Sequence, residues 1–331
     1  MAPDVRKGRF MILVTGGMGF IGQHTARALL DLGQSCVLTS YRVARDTSLI
    51  SAEIGTRVFI EPLDIDDLPA LRAIGARHAI TGIVHLAGVG HPGALGPVDD
   101  FRAQTQGLLN VLQAAQDWAV PRVALASTIG VYAGTSAGNP LREDLPLPMT
   151  APHQIVAFKK SAELIAGAVA IRAGYQVVNL RIPGVWGPLH RHPRSNLSVA
   201  PLLVHAAVDG HAPDFSPPLS PAYAQDGIDL CYAKDCGRAI ALLQTARTLN
   251  HSTYNIGSGR ATTNAELAAA IRQVIPDAVI GLPGGRDPRG AGRDFYLDIS
   301  RIRADTGYQP EYDTQRGVTD YIDWLRSGHE H

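Results

Sequence analysis

Three glycines near the start of the chain constrain its fold more than any other feature. The segment Val14-Thr15-Gly16-Gly17-Met18-Gly19-Phe20-Ile21-Gly22 follows a short apolar run and precedes a stretch of helical spacing that Gly33 ends. Gly16 permits a tight turn, Gly19 lets backbone amides approach a bound group, and Gly22 lets the helix pack closely on the strand. The free amides and positive dipole end of such a helix favour a phosphate.

The rest of the chain supplies the context that this loop needs. Residues 11–14, 36–39, 58–60, 83–86, 123–126 and 177–180 are apolar runs of strand length. Helical spacing occupies residues 23–32, 101–118 and 160–172. Strands separated by helices imply right-handed crossovers and a parallel sheet covered on both faces. The expected fold class is therefore α/β, a doubly wound parallel Rossmann-type sheet, with a nicotinamide dinucleotide bound at the glycine loop. After Arg181 the pattern changes, and proline and glycine thicken over residues 183–221 around one helix at 200–208. Thr263-Asn264-Ala265-Glu266 has the spacing of a capping box. It opens a helix to about Val274, and a last helix spans 318–325. We read residues 8–181 as the dinucleotide-binding domain, with 225–258 returning to it. Residues 182–224 and 259–328 form a smaller C-terminal substrate lobe.

Charge and cysteine usage narrow the partners. Lys+Arg and Asp+Glu both number 30, so the chain lacks the basic footprint that nucleic acid or an anionic membrane surface requires. The apolar run at 11–14 is too short for a secretory segment or a membrane span, and a cytoplasmic protein is the expectation. Cys36, Cys231 and Cys236 form no Cys-x-x-Cys pair and read as buried thiols rather than a disulfide framework or a metal site.

The second strand bears on which nicotinamide cofactor binds. A carboxylate about 20 positions beyond the loop would bond the ribose 2′-hydroxyl of NAD, whereas arginine suits the 2′-phosphate of NADP. The strand ends Thr39-Ser40-Tyr41-Arg42, with Arg45 and Asp46 following, and no carboxylate stands in the expected place. Ser40 and Arg42 favour NADP over NAD. A solvated loop is the competing reading of Arg42 and Arg45.

With these residues in view, nearly the whole chain resembles the extended short-chain dehydrogenase/reductases, the group that includes NAD-dependent epimerases and dehydratases. The resemblance rests on the glycine loop, Leu63-Asp64-Ile65, His85-Leu86-Ala87-Gly88, Ser127-Thr128-Ile129-Gly130-Val131-Tyr132 and Arg181-Ile182-Pro183-Gly184-Val185-Trp186-Gly187-Pro188. Tyr254-Asn255-Ile256-Gly257-Ser258-Gly259 and Asp298-Ile299-Ser300 complete it. The resemblance implies that Gly16, Gly19, Phe20, Ile21 and Gly22 hold the pyrophosphate and that Asp64 and Ile65 meet the adenine. Leu86, Ala87 and Gly88 would line the cofactor, and Pro183 would pass the nicotinamide. It also implies a small-molecule substrate, a helix-mediated homodimer, and a hydroxyl proton moved by a tyrosine. A phenol needs nearby positive charge to ionise near neutral pH, which a lysine four residues on would supply.

Here the chain departs from the pattern. Thr128 fills the serine/threonine position, and Lys159 and Glu163 fit the helix, yet four residues before Lys159 stands Ile155. Taking Lys160 instead lands on Val156. Counted forward from Glu143-Asp144-Leu145-Pro146-Leu147-Pro148, the tyrosine should fall near Pro152 or His153. A small insertion at the helix start would reconcile the two counts and make His153 the acid/base, an imidazole being suited to neutral pH. An exposed helix-start residue is the plainer reading of His153, and Tyr132 and Tyr223 are secondary candidates. Gln104 replaces the usual asparagine, and Gln225-Asp226-Gly227-Ile228-Asp229-Leu230 lacks the arginine that nucleotide-sugar members carry. Arg286, Arg289 and Arg293 could meet an anionic substrate or be a solvated basic loop. His190-Arg191-His192-Pro193-Arg194 could gate the pocket or be a surface loop. Three readings follow: an NADP-preferring oxidoreductase on a hydroxyl/carbonyl compound, an NAD-retaining sugar or nucleotide-sugar epimerase/dehydratase, or a dinucleotide-binding protein without catalysis.

Overall fold

The computed structural model describes residues 10–42, 46–88, 96–190, 199–216, 219, 221–289 and 294–328. The first half alternates strand and helix: β1 (Met11–Thr15), α1 (Phe20–Asp31), β2 (Ser35–Ser40), β3 (Val58–Pro62), α2 (Leu68–Arg77), β4 (Gly82–His85) and α3 (Pro97–Asp117). It continues with β5 (Arg122–Thr128), α4 (Gln154–Ala173), β6 (Gln176–Ile182) and β7 (Gly184–Trp186). Then come α5 (Ala200–Val208), β8 (Gly227–Tyr232), α6 (Ala233–Thr245), β9 (Thr253–Asn255) and β10 (Ala261–Thr263). Three helices close the chain: α7 (Asn264–Val274), α8 (Ser300–Thr306) and α9 (Thr314–Arg326).

Seven strands make one sheet in the order β3-β2-β1-β4-β5-β6-β9, and every pairing in it is parallel. Period-two alternation sends side chains to two separate cores. Ile12, Val14, Ala124 and Val178 face Leu29 of α1, Ile240 of α6 and Ile302 of α8. Leu13, Val123, Leu125 and Val177 face Leu71 of α2, Leu112 of α3 and Ala166 of α4. The doubly wound α/β expectation is thereby borne out.

A second sheet, β10-β8-β7, lies outside the first. A third core, including Trp186, Leu203, Leu267, Ile271 and Ile322, joins α5, α7 and α9 to it. The predicted capping box is present: Thr263 Oγ1 accepts from the Glu266 amide, and the Glu266 carboxylate accepts from the Thr263 amide. All three cysteines are buried and free. Among the described residues no helix is long and apolar enough to cross a membrane, and no cluster of metal-ligating side chains occurs.

Candidate active site

The site begins where β1 gives way to α1. Gly16 sits at φ +68°, the left-handed region, and a Cβ there would lie 2.9 Å from the Ala87 amide. A Cβ on Gly22 would lie 2.4 Å from the Gly16 carbonyl. The Gly16 amide donates to Thr39 Oγ1 at 2.9 Å and the Met18 amide to the Thr39 carbonyl at 3.2 Å, so β2 fixes the loop. The first helical bond of α1 runs from the Gln23 amide to the Gly19 carbonyl. The amides of Phe20, Ile21 and Gly22 precede it and have no acceptor within the helix. Gly19 offers no side-chain cap, and no acidic residue stands in the first turn. That is a donor set for an anion at a helix N-terminus.

A cleft of about 340 Å³ opens beside this loop. Gly16, Gly19, Ser40, Asp64, Ile65, Leu86, Ala87 and Gly88 all line it, as does Gln104. It lies at the carboxyl ends of β1, β2 and β4, where the strand order reverses and open α/β sheets bind ligands. A loop in which a Cβ on Gly16, Gly17 or Gly22 would meet backbone within 3 Å, together with a row of amides lacking helical acceptors, fits a dinucleotide pyrophosphate. The lining residues that sequence reasoning did not single out include Asp66, Ala103 and Phe158. Each adjoins a residue already singled out, and that adjacency was the available signal.

The end of β2 holds no carboxylate. Ser40 lines the cleft, and Arg42 adopts φ +58° with its guanidinium 4.5 Å from the centroid of the exposed Tyr41 ring. A left-handed backbone at a residue other than glycine costs about 1 kcal/mol or more. Arg45 lies outside the described residues.

The second half of the site is built by β5 and α4. Thr128 ends β5, and its Oγ1 accepts from the Gly130 amide at 3.1 Å as a 3-10 turn begins. Val156, Ala162, Ala166 and Ala170 are the buried side of α4, and small residues there bring the helix close to the sheet. Lys159 projects from it, and its Nζ donates to the Ala126 carbonyl at 2.8 Å. Burial pulls this amine down to about 8 while Glu163 opposes the shift. Glu163 is itself engaged: it accepts from Ser127 Oγ at 2.5 Å and from Arg181 Nε and Nη2 at 3.1 and 2.8 Å. Arg181 Nη1 also donates to Tyr132 Oη at 2.9 Å, and Tyr132 donates to Asn255 Oδ1 at 2.8 Å. Burial pushes the Tyr132 phenol up, and both of its hydrogen-bonding roles are taken.

The helix resolves the count around the missing tyrosine. α4 runs unbroken from Gln154, so no extra residue separates Ile155 from Lys159. His153 is its N-cap, exposed and extended at φ −158°, with no side-chain cap bond. Six helical positions to Lys159 amount to about 9 Å of rise. Thr128 ends β5 and Lys159 reaches the Ala126 carbonyl two residues before it, whereas His153 lies at the exposed start of the helix. Tyr223 lies in the outer lobe, where its carbonyl accepts from Asn264 Nδ2. Pro183 is buried between β6 and β7. His85 is buried, shares a 2.7 Å hydrogen bond with Thr15 Oγ1, and is pushed down to about 3 by burial and by the Lys159 charge.

The candidate anion contacts of the outer lobe have partners. Arg286 places two nitrogens on Asp294 at 3.0 and 2.6 Å. Arg289 places two on Asp287, the shorter at 2.7 Å. Arg293 and residues 191–194 lie outside the described residues. His190 packs its ring edge-on against Phe20, 5.0 Å between centroids, so this residue abuts the glycine loop.

Comparison with known proteins agrees with this geometry. The family model described as NAD dependent epimerase/dehydratase family matches residues 12–257. A dTDP-glucose 4,6-dehydratase of Escherichia coli is 25% identical, covering 96% of this chain and 94% of that protein. A UDP-glucose 4-epimerase of Azospirillum brasilense is 28% identical, covering 96% and 92%. Among solved structures, the UDP-glucose 4-epimerase of Thermotoga maritima with UDP-glucose superposes with TM-score 0.78 at 21% identity, covering 96% and 99%. The dTDP-glucose 4,6-dehydratase of Bacillus anthracis, in complex with NAD, gives TM-score 0.78 at 20% identity, covering 96% and 97%. With a family match across most of its length and a cleft of the matching kind, the chain belongs to the NAD-dependent epimerase/dehydratase family.

Proposed function

We propose that this chain is an NADP-preferring oxidoreductase of the family, acting on a hydroxyl or carbonyl compound. The observation that supports the cofactor preference is the end of β2: Ser40 lines the cleft with no carboxylate in its place, and Arg42 follows two residues on, its guanidinium over the ring of the cleft-lining Tyr41. Arginine suits a 2′-phosphate because its planar fork matches phosphate oxygens. The amides of Phe20, Ile21 and Gly22 hold the pyrophosphate, and Asp64 with Ile65 borders the adenine side. Thr128 supplies a hydroxyl to hold the substrate oxygen, and Lys159 brings its amine to the Ala126 carbonyl two residues before it. When bound, the dinucleotide provides the hydride acceptor or donor.

A second reading has its own support. The relatives reported above are nucleotide-sugar dehydratases and epimerases, and a chain of that kind would hold NAD through a complete cycle. The partnered state of Arg286 and Arg289 weighs against a nucleotide diphosphate at those two residues. A screen of carbonyl compounds for NADPH oxidation tests the leading reading. Turnover with at least one compound is expected. No oxidation with any compound, together with NAD retained through purification, would sink it in favour of the second.

A further inference from the structure

An aliphatic side chain stands one helical turn before Lys159, where the family resemblance calls for a phenol. Ile155 and Lys159 share one face of the unbroken α4, so the position one turn before the amine carries no hydroxyl, and the amine's neighbours Phe158 and His85 line the cleft. The surroundings of Lys159 can be enumerated among the described residues. From α4 come Glu163, whose carboxylate is already claimed by Arg181 and Ser127, and the Phe158 ring, 5.8 Å from Nζ to its centroid. From β4 comes His85, buried and bonded to Thr15. From β5 come the Ala126 carbonyl that the amine donates to and, two residues on, Thr128. The lysine therefore has no carboxylate of its own. Other acid/base groups are disposed of by geometry: Tyr132 is consumed by Arg181 and Asn255, and His153 is an exposed N-cap.

We propose that Lys159 is itself the proton-transfer group for the substrate oxygen, in place of the absent tyrosine. This rests on the dinucleotide-dependent reading above. In oxidation the neutral amine takes the hydroxyl proton and becomes ammonium. The C–O bond becomes C=O as the carbon's C–H electron pair departs, as hydride, to the oxidised dinucleotide. In reduction the ammonium would return the proton to the oxygen, the hydride for the carbon being what a reduced dinucleotide held at the glycine loop would supply. A desolvated amine without a dedicated counter-ion gives up its proton readily, and burial draws this one down to about 8, within reach of neutral pH.

The chain has only four lysines, Lys7, Lys159, Lys160 and Lys234, so lysine-selective carbon-13 NMR of the full chain with NADP+ can follow each one. The signal lost in Lys159→Arg should titrate near 8, well below the ~10.4 of an unperturbed lysine. Arginine keeps the charge and donors but cannot release a proton. With a carbonyl compound that oxidises NADPH, Lys159→Arg should therefore lower turnover by about 10²–10⁴-fold while NADPH still binds. A Lys159 signal titrating at the ordinary lysine value of ~10.4, or turnover within about tenfold of the native chain in Lys159→Arg, overturns the assignment. Failure of the native chain to bind NADPH would instead strike at the dinucleotide reading and leave the lysine titration to be judged separately.

Discussion

Two glycine-to-alanine substitutions in the same loop should fail in different ways. At Gly22 the added methyl would sit 2.4 Å from the Gly16 carbonyl oxygen, 2.6 Å from that of Gly17 and 2.7 Å from Gly17 Cα. All three are backbone atoms, and hydrogen bonds to Val14 and Thr39 pin the turn that carries them. Restoring ordinary contact needs a shift of about 1 Å, and overpacking of this kind costs about 1–3 kcal/mol. The better helix propensity of alanine returns at most about 1 kcal/mol. Gly22→Ala should thus lose about 1–2 kcal/mol of stability and dinucleotide affinity with it. At Gly19 the added methyl meets only the Gly16 carbonyl, at 3.0 Å, and the residue lines the cleft with φ −79°. Gly19→Ala should leave stability within about 1 kcal/mol but weaken NADPH at least about tenfold, which is about 1.4 kcal/mol. Urea denaturation and NADPH fluorescence titration of both variants make the comparison. Unchanged affinity in Gly19→Ala would refute the placing of the pyrophosphate on this loop.

Three further perturbations test separate parts of the account. Arg42→Ala should weaken NADPH by about 1.5–3 kcal/mol, the worth of a hydrogen bond to a charged group, and leave NADH nearly unchanged; equal effects on both would remove Arg42 from the 2′-phosphate. Glu163→Gln leaves the Arg181 guanidinium unpaired where the two side chains are only 8% and 6% exposed. It should cost about 3–5 kcal/mol in chemical denaturation, and a loss below about 1 kcal/mol would contradict the network as drawn. His24 and His85 are held at about 4 and about 3, chiefly by burial. The unfolded chain therefore binds protons that the native chain refuses: their contribution is complete above about pH 6.5 and is lost as pH falls through about 4 for His24 and about 3 for His85. Each should remove about 1.4 kcal/mol per pH unit near pH 5, and His24→Gln or His85→Asn should each flatten the profile by that amount. A slope indifferent to both substitutions would mean that these rings titrate normally.

The central sheet was legible because most of its strands are short apolar runs, those inside the edge strand β3 buried on both faces, and β1 to β6 fall within two or three residues of where the sequence puts them. The strands β7, β9 and β10 have three residues each, too few for a periodic signal. α6 escaped because its apolar run, residues 239–243, is of strand length and ambiguous by pattern. The glycine loop was readable residue by residue, since each glycine answers a backbone requirement. The departure at Ile155 was equally visible, but where α4 begins was not, and that boundary decides the standing of His153. The network of Ser127, Glu163, Arg181, Tyr132 and Asn255 joins residues 18 to 123 positions apart, and only the folded sheet brings them together. The same holds for the salt bridge between Arg286 and Asp294, which turned a candidate anion contact into an internal pair.

Cofactor choice is the point on which the functional reading turns. The most direct test is a fluorescence titration of the purified chain with NADPH and NADH, after its absorbance has been checked for retained cofactor. The account predicts an empty site and NADPH binding at least about tenfold tighter than NADH, a difference of about 1.4 kcal/mol. Retained NAD, or NADH binding as tightly as NADPH, would contradict the role given to Ser40 and Arg42 and favour an NAD-retaining epimerase or dehydratase.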